Sequence, residues 1–313
     1  MEAANKFSPK EFLRKRRPEK FSDSIVEETG TLDRAFLEYY LSSLNNRSQE
    51  LQFESFSKAV CEKVICSNLL EQTGPVAGGD GKTDTQTFPV SEQNRLMWYE
   101  GVNESSHKER WAFGVSTRKD WKAKCKEDVK KIAGTNRGYV KAFNVTNQFV
   151  KSDQRSDLED KLSKEFDLDV RILDRSWLLD QVFKNNLQDI AIETLSIPVS
   201  YERNVTLGAG DYRKDVELES LNKKISTEVE PKNITLEQVN WFLRVAELST
   251  ELEKPELECR GLYDRAINVA EKFGSNQQRL NAYYGYAWKA HFWLEDIELV
   301  EQSLVKSSEC ISD

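Results

Sequence analysis

The chain has 313 residues, 38% hydrophobic and 10% aromatic, which is enough to fill packed cores and long enough for two domains. A formal net charge of −8 excludes a uniformly basic nucleic-acid binder, and no apolar run approaches the roughly 20 residues that span a bilayer. Five cysteines without a C-x-x-C pair exclude zinc knuckles, and only two histidines, His107 and His291, nearly exclude histidine triads and histidine-rich metal sites. Carboxylates remain as metal ligands, and hard oxygen donors suit Mg²⁺ or Mn²⁺.

Residues 1–30 are a polar segment of weak periodicity, and its cluster Lys10, Arg14, Lys15, Arg16 and Arg17 reads as a solvated basic tail. Met1 to Lys6 lack the apolar core of a signal peptide, so a cytoplasmic protein with reduced, mostly buried thiols is expected. Leu32, Ala35, Phe36, Tyr39 and Tyr40 then recur at helical spacing. From about Gln49 a second helix carries Leu51, Phe53, Phe56, Val60, Val64 and Ile65 as its apolar stripe, with Glu54 beside it and Glu62 as a competing acid. Strands follow at about 83–88, 94–99, 110–117, 139–146 and 169–173, with helices at 120–133, 155–165 and 175–184. This alternation predicts a mixed α/β domain over 31–195, a central sheet covered by helices on both faces.

Beyond Asn204 the texture changes, and Gly208-Ala209-Gly210 marks a break before an all-helical domain at 210–313. Thr235 and Gln238 form a capping box ahead of Leu236, Val239, Leu243 and Ala246. Leu262, Ala266, Val269, Ala270 and Phe273 line a second helix, closed by Gly274 at its C-terminal cap. Tyr283, Tyr284, Tyr286, Trp288, Phe292 and Trp293 crowd a third, where core packing is the expected use of the rings. These helices resemble tetratricopeptide-type repeats, which bury their faces only against neighbouring repeats. The chain stops at Cys310-Ile311-Ser312-Asp313 without an obvious polar capping helix, which suggests partner packing there or a longer parent protein.

The segment Thr73 to Phe88 carries the most chemistry. Gly78, Gly79 and Gly81 let the backbone pass close to a ligand, and Asp80 and Asp84 are delivered toward the β-branched run Thr83 to Thr87. Gly81-Lys82-Thr83 matches the tail of a phosphate-binding loop, yet the first glycine of that pattern falls on Val76 and the chain runs into a strand rather than a helix. A glycine-rich surface hairpin with solvated acids is the competing reading. The next strand ends in Ser116, Arg118 and Lys119, and an acid on one strand with a cation on its neighbour suits metal-assisted hydrolysis of a phosphodiester. From Lys108 to Lys141 eleven Lys/Arg stand against four Asp/Glu, so this stretch reads as a phosphate-contacting patch.

With those acids and cations in place, residues 50–185 resemble the PD-(D/E)XK nuclease superfamily, the restriction-endonuclease-like fold, in its Mrr-type branch. Phe53-Glu54 resembles the leading helix acid, Gly79 to Asp84 the glycine-flanked aspartates, and Val115-Ser116-Thr117-Arg118-Lys119 stands at the (D/E/Q)-x-K strand. Phe143 to Gln148 and Val170 to Asp174, followed by Trp177-Leu178-Leu179, resemble the later strands and closing helix. The resemblance implies a Mg²⁺- or Mn²⁺-dependent DNA endonuclease, with helical repeats as in prokaryotic antiphage defence effectors. Asp84 and Glu54 are the implied metal ligands, with Asp80 second and a plain turn residue as its equal alternative. Ser116 and Arg118 stand where the family has an acid or glutamine and a lysine, so either Lys119 supplies the amine or Arg118 holds the phosphate. Lys82, Lys122, Lys124, Lys126, Asn147 and Gln148, with Thr146, are the expected nucleic-acid contacts. The alternative is a catalytically degenerate platform that binds nucleic acid or protein, with oligomerisation or partner binding through the helices.

Overall fold

The computed structural model describes residues 8–30, 32–70, 83–91, 104–199 and 202–312. The chain divides into two compact units, one spanning 28–91 and 101–202, the other gathering both ends, 1–27 and 203–313. It opens on helix α1 (Pro9–Arg16), whose first turn is capped by Ser8, followed by strand β1 (Ile25–Thr29). Helix α2 (Arg34–Ser42) starts where Asp33 accepts the Ala35 N–H at 2.8 Å. Helix α3 (Glu50–Val64) buries Phe53, Phe56, Val60 and Val64 along the stripe that its sequence spacing predicts.

The sheet follows. Strand β2 (Thr85–Gln86) pairs antiparallel with β3 (Arg110–Ser116); helix α4 (Trp121–Ala133) leads to β4 (Tyr139–Thr146), parallel to β3. Helix α5 (Ser152–Phe166) then leads to β5 (Asp169–Leu173), parallel to β4, and α6 (Arg175–Lys184) and α7 (Gln188–Leu195) close the unit. Strand order is β2-β3-β4-β5. Alternation along β3 and β4 sorts the faces. Ala112 and Ala142 join Val129, Ile132, Leu158 and Leu162 under α4 and α5. On the other face Phe113 stacks on Phe143 at 4.7 Å beside Trp111, where α3 covers β3. The strand expected at 83–88 shortens to two residues, Thr87 making only an isolated bridge to Leu69. The strand expected at 94–99 lies outside the described residues.

Strand β6 (Glu202–Thr206) pairs with β1 and leads into α8 (Ala209–Glu228). Helices α9 (Leu236–Glu251), α10 (Glu256–Phe273), α11 (Asn276–Lys289) and α12 (Ile297–Ser312) follow, with a π-helical turn at Ala290–Leu294. Consecutive helices pack on one another around Phe242, Val245, Leu262, Ala266 and Tyr286. The capping box at Thr235 and Gln238 is present, and Ser275 with Gln278 repeats it at α11. Gly274 ends α10 with ordinary negative φ; a Cβ there would lie 2.6 Å from the Ala270 carbonyl oxygen, so crowding selects the glycine. The mixed α/β class with a helical C-terminal part agrees with the expectation from sequence. Among the described residues no helix is long and apolar enough to cross a membrane.

The basic cluster near the start is not a loose tail. Leu13 is buried, Lys10 and Arg14 pair with Glu253 at 3.0 and 2.5 Å, and Phe21 stacks on Trp293 at 4.7 Å. Lys10 and Arg14 read as solvated because their partner, Glu253, lies more than two hundred residues away in sequence. Asp23 locks the same region, accepting the Gly210 and Asp211 N–H groups at 2.9 and 2.8 Å at the start of α8. A Cβ on Gly208 would fall 2.3 Å from Asp23. Gly208→Ala is therefore expected to destabilise the helical unit by about 1–3 kcal/mol, read as a lower denaturation midpoint in urea. An unchanged midpoint would refute this packing.

Candidate functional site

The end of β3 gathers charged side chains from three places in the chain, the segment before β2, α3 and α4. Asp84, immediately before β2, accepts the Val115 N–H through Oδ2. Gly114 and Asn144 are register partners on the face covered by α4. A Cβ on Gly114 would lie 3.4 Å from Asp128 Oδ2 and 3.7 Å from Asn144 Oδ1, so the missing side chain makes room for the carboxylate descending from α4. Lys124, one helical turn earlier, bonds Asp128 Oδ1 at 2.6 Å. A cavity of about 10 Å³, room for about one water, lies among Gly114, Ser116, Lys124, Asp128, Asn144 and Thr146. Both polar atoms of the Asn144 side chain are buried beside it without a hydrogen-bond partner. Openings of this kind, at the carboxyl ends of parallel strands, are where α/β sheets place ligands.

The electrostatics tie Glu54 to the same place. Burial raises the Asp84 carboxyl above its ordinary range and the Asp128 charge adds to the rise, against the Val115 N–H and Lys124. Glu54, half-buried on α3, is raised by burial and then by Asp84, with Lys124 again opposing. Among the described residues Lys124 is thus the ammonium that Glu54, Asp84 and Asp128 share, one positive charge against three carboxyls. Cys125 lines the same cavity, but burial pushes its thiol up to about 12, which rules out a thiolate at neutral pH. Among the described residues no group of three or more His, Cys, Asp or Glu side chains is placed to hold a metal ion, so a cation here would rest on one or two carboxylates and water.

The other expected residues fall less centrally. Ser116 ends β3 and lines the cavity, its Oγ accepting the Arg118 N–H at 3.1 Å. Arg118 is exposed and paired with Glu127 at 2.8 Å, turned to a neighbour rather than held at the acids. Lys119 is exposed in the turn before α4. Lys122 and Lys126 are exposed on α4, as a phosphate-contacting face requires, whereas Lys124 is drawn inward by Asp128. Asn147, expected at the substrate backbone, is fully buried and donates to the Leu41 carbonyl at 2.9 Å and to Asn45 Oδ1 at 3.3 Å; its role is structural. Gln148 is likewise spent on the Thr117 carbonyl and Asn147. Thr146 is buried, and Glu62 is engaged by Lys58. Asp80 and Lys82 lie outside the described residues.

Sequence reasoning missed Asp128 and Asn144, and it placed Lys124 among outer phosphate contacts. The signal was the lone glycine in the apolar run Arg110-Trp-Ala-Phe-Gly114-Val-Ser116, since a strand glycine marks a close approach by another group. No known protein family, curated protein or solved structure matches the chain.

Proposed function

We propose that the α/β unit is a Mg²⁺- or Mn²⁺-dependent nuclease that hydrolyses DNA phosphodiesters, with a restriction-endonuclease-like core. The observation that carries this reading is Asp84 on the Val115 N–H beside Asp128 and its partner Lys124 at neighbouring Gly114, with Glu54 within the electrostatic reach of Asp84. Opposite Asp84, the acid-x-lysine positions of the family fall on Gly114-Val115-Ser116 rather than on Ser116-Thr117-Arg118. Both missing groups are then supplied by α4, the carboxylate by Asp128 and the amine by Lys124.

The donor set fits a hard cation. Every candidate ligand is an oxygen, Lys124 is the ammonium set against all three acids among the described residues, and Mg²⁺ is ordinarily held by one or two carboxylates plus water rather than by a closed cage. Asp84 and Glu54 would hold the ion, with Asp128 beside them, and the bound ion supplies Lewis acidity that activates water and offsets charge on the phosphate. Lys124 presents an ammonium to the same acids and, with substrate bound, to the non-bridging phosphate oxygens, where it stabilises the developing charge. Asp128 fixes that ammonium in place through their 2.6 Å bond. Lys122 and Lys126 on the outer face of α4 take the flanking backbone phosphates.

Purified protein is expected to nick or linearise supercoiled plasmid in Mg²⁺ or Mn²⁺ and to leave it intact in EDTA. Lys124→Met is expected to slow cleavage about 100-fold, while Lys119→Met stays within about twofold of the parent. The reverse pattern would return the amine to the turn after β3. No cleavage in any metal, with duplex binding retained, would favour the second reading, a binding platform, for which Ser116 in place of a strand lysine is the observation in favour.

A further inference from the structure

The helical unit contains a cleft of about 630 Å³ bounded by α1, the turn that follows it, α9 and α11. That volume suits a small organic ligand and far exceeds a lone inorganic anion. Its deep end offers hydrogen-bond donors. Lys289 is 5% exposed, with its ammonium 3.9 Å above the Trp293 ring. The Trp293 indole nitrogen is itself buried without a hydrogen-bond partner, so it calls for an acceptor beside the Lys289 ammonium. Burial pulls the Lys289 ammonium down to about 8 against the attraction of Glu251 and Glu247, so its charge is under-compensated. The one carboxylate in the lining, Glu247, is already held by Arg244 at 2.6 Å and Lys20 at 3.5 Å. Of the lining cations Arg17, Lys20 and Arg244 are each paired, with Glu19, with Glu251 at 2.8 Å and with Glu217 at 2.8 Å, whereas Lys289 makes no ion pair among the described residues, so the deep end favours an anion at Lys289.

The outer wall is aromatic. Tyr284 and Trp288, one turn apart on α11, stay 55% and 43% exposed, whereas Tyr286 on the same helix is buried against Tyr263 at 4.8 Å. The core thus takes one part of the aromatic cluster and leaves two rings facing the cleft. Between them sits Gly285, in the interior of a helix, where glycine costs about 1 kcal/mol relative to alanine. A Cβ there would meet nothing within 4 Å. Packing does not demand this glycine, and its absent side chain leaves the wall open. The π-helical turn at Ala290–Leu294, a departure often found at binding sites, carries Trp293 to the cleft.

We propose that this cleft binds a nucleotide, its phosphates on Lys289 and the Trp293 indole N–H and its base stacked against Tyr284 and Trp288. Phosphate supplies the acceptors that the deep end lacks, and the base supplies a flat π-surface for the exposed rings. The site is independent of the nuclease reading, and binding is measured without cleavage.

The test is isothermal titration of the full chain with ATP, GTP, CTP and UTP, with adenosine and inorganic phosphate as separate halves of the ligand. At least one nucleotide is expected to bind with Kd of about 10 μM, and each half about 100-fold more weakly. Gly285→Leu starts its side chain in open space at the wall, and Lys289→Met removes the charge at similar length; each is expected to weaken binding about tenfold or more. The Gly285→Leu protein should melt no lower than the parent, which separates blocked entry from misfolding. Lys82→Ala, in the glycine-rich segment outside the described residues, is expected to leave binding unchanged. Binding by no nucleotide, binding that survives both cleft variants, or binding lost only with Lys82→Ala would each overturn the proposal.

Discussion

Asp84→Asn is expected to lose metal-dependent cleavage by a factor of about 1,000 or more and, at the same time, to raise the melting temperature of the α/β unit by about 2 °C. The two effects share a cause. Asp84 is raised above its ordinary carboxylate range by burial and by the Asp128 charge, so ionising it in the folded state costs free energy. Asparagine keeps an oxygen to accept the Val115 N–H and removes the charge. The sign with pH follows from the raised value. At about pH 2–3, well below the ordinary carboxylate value, the acid is protonated folded and unfolded, and parent and variant should melt alike. As pH rises through the raised value the parent loses stability that the variant keeps, so the gap opens toward neutrality. Glu54, raised by burial and by Asp84, contributes in the same direction and should relax when Asp84 is neutral. Melting curves from about pH 2.5 to about pH 8 beside plasmid cleavage make the check. An Asp84→Asn protein that melts several degrees lower at neutral pH would mean the carboxylate is a structural group, and its inactivity would say nothing about chemistry.

That trade of stability for charge was only half visible in the sequence. What is local was legible. Strands β4 and β5 and helix α6 end where alternation and side-chain caps place them, because Asp174 both caps α6 through the Trp177 N–H and receives the Val150 N–H. Asp84 and Glu54 were also legible, one from its glycine-rich approach and one from its place beside an apolar stripe. What depends on register and helix phase was not. Lys124 and Asp128 look like members of a solvated basic helix until β3 and β4 pair Gly114 with Asn144 and α4 turns that edge inward. Asn147 reads as a strand tip, yet its amide bonds Leu41 and Asn45, about a hundred residues earlier, and no local pattern encodes that contact. The aromatic cluster of α11 shows the same limit. Composition predicts burial, and only packing reveals that Tyr286 takes it while Tyr284 and Trp288 do not.

If α4 supplies the carboxylate that the strand omits, the acid can be moved back. Asp128→Ala alone is expected to reduce cleavage about 100-fold, since it removes a charge from the acid cluster and the 2.6 Å partner that fixes Lys124. Gly114→Asp alone should also lose activity, because its side chain would start 3.4 Å from Asp128 Oδ2 and crowd two carboxylates into one space. Backbone strain does not enter, as Gly114 lacks the positive φ that would demand glycine. In the double variant the strand acid occupies the volume Asp128 vacated, beside Asp84 and within the field of Lys124. Cleavage about tenfold above Asp128→Ala is therefore expected, a coupling opposite in sign to the two separate losses. Losses that simply multiply would show that Gly114 and Asp128 do not share a role, and would leave the 2.6 Å ion pair as a helix-surface contact with no bearing on the acids. A rescue has no such structural reading, because an added buried charge that only perturbed the fold would deepen the defect rather than repair it.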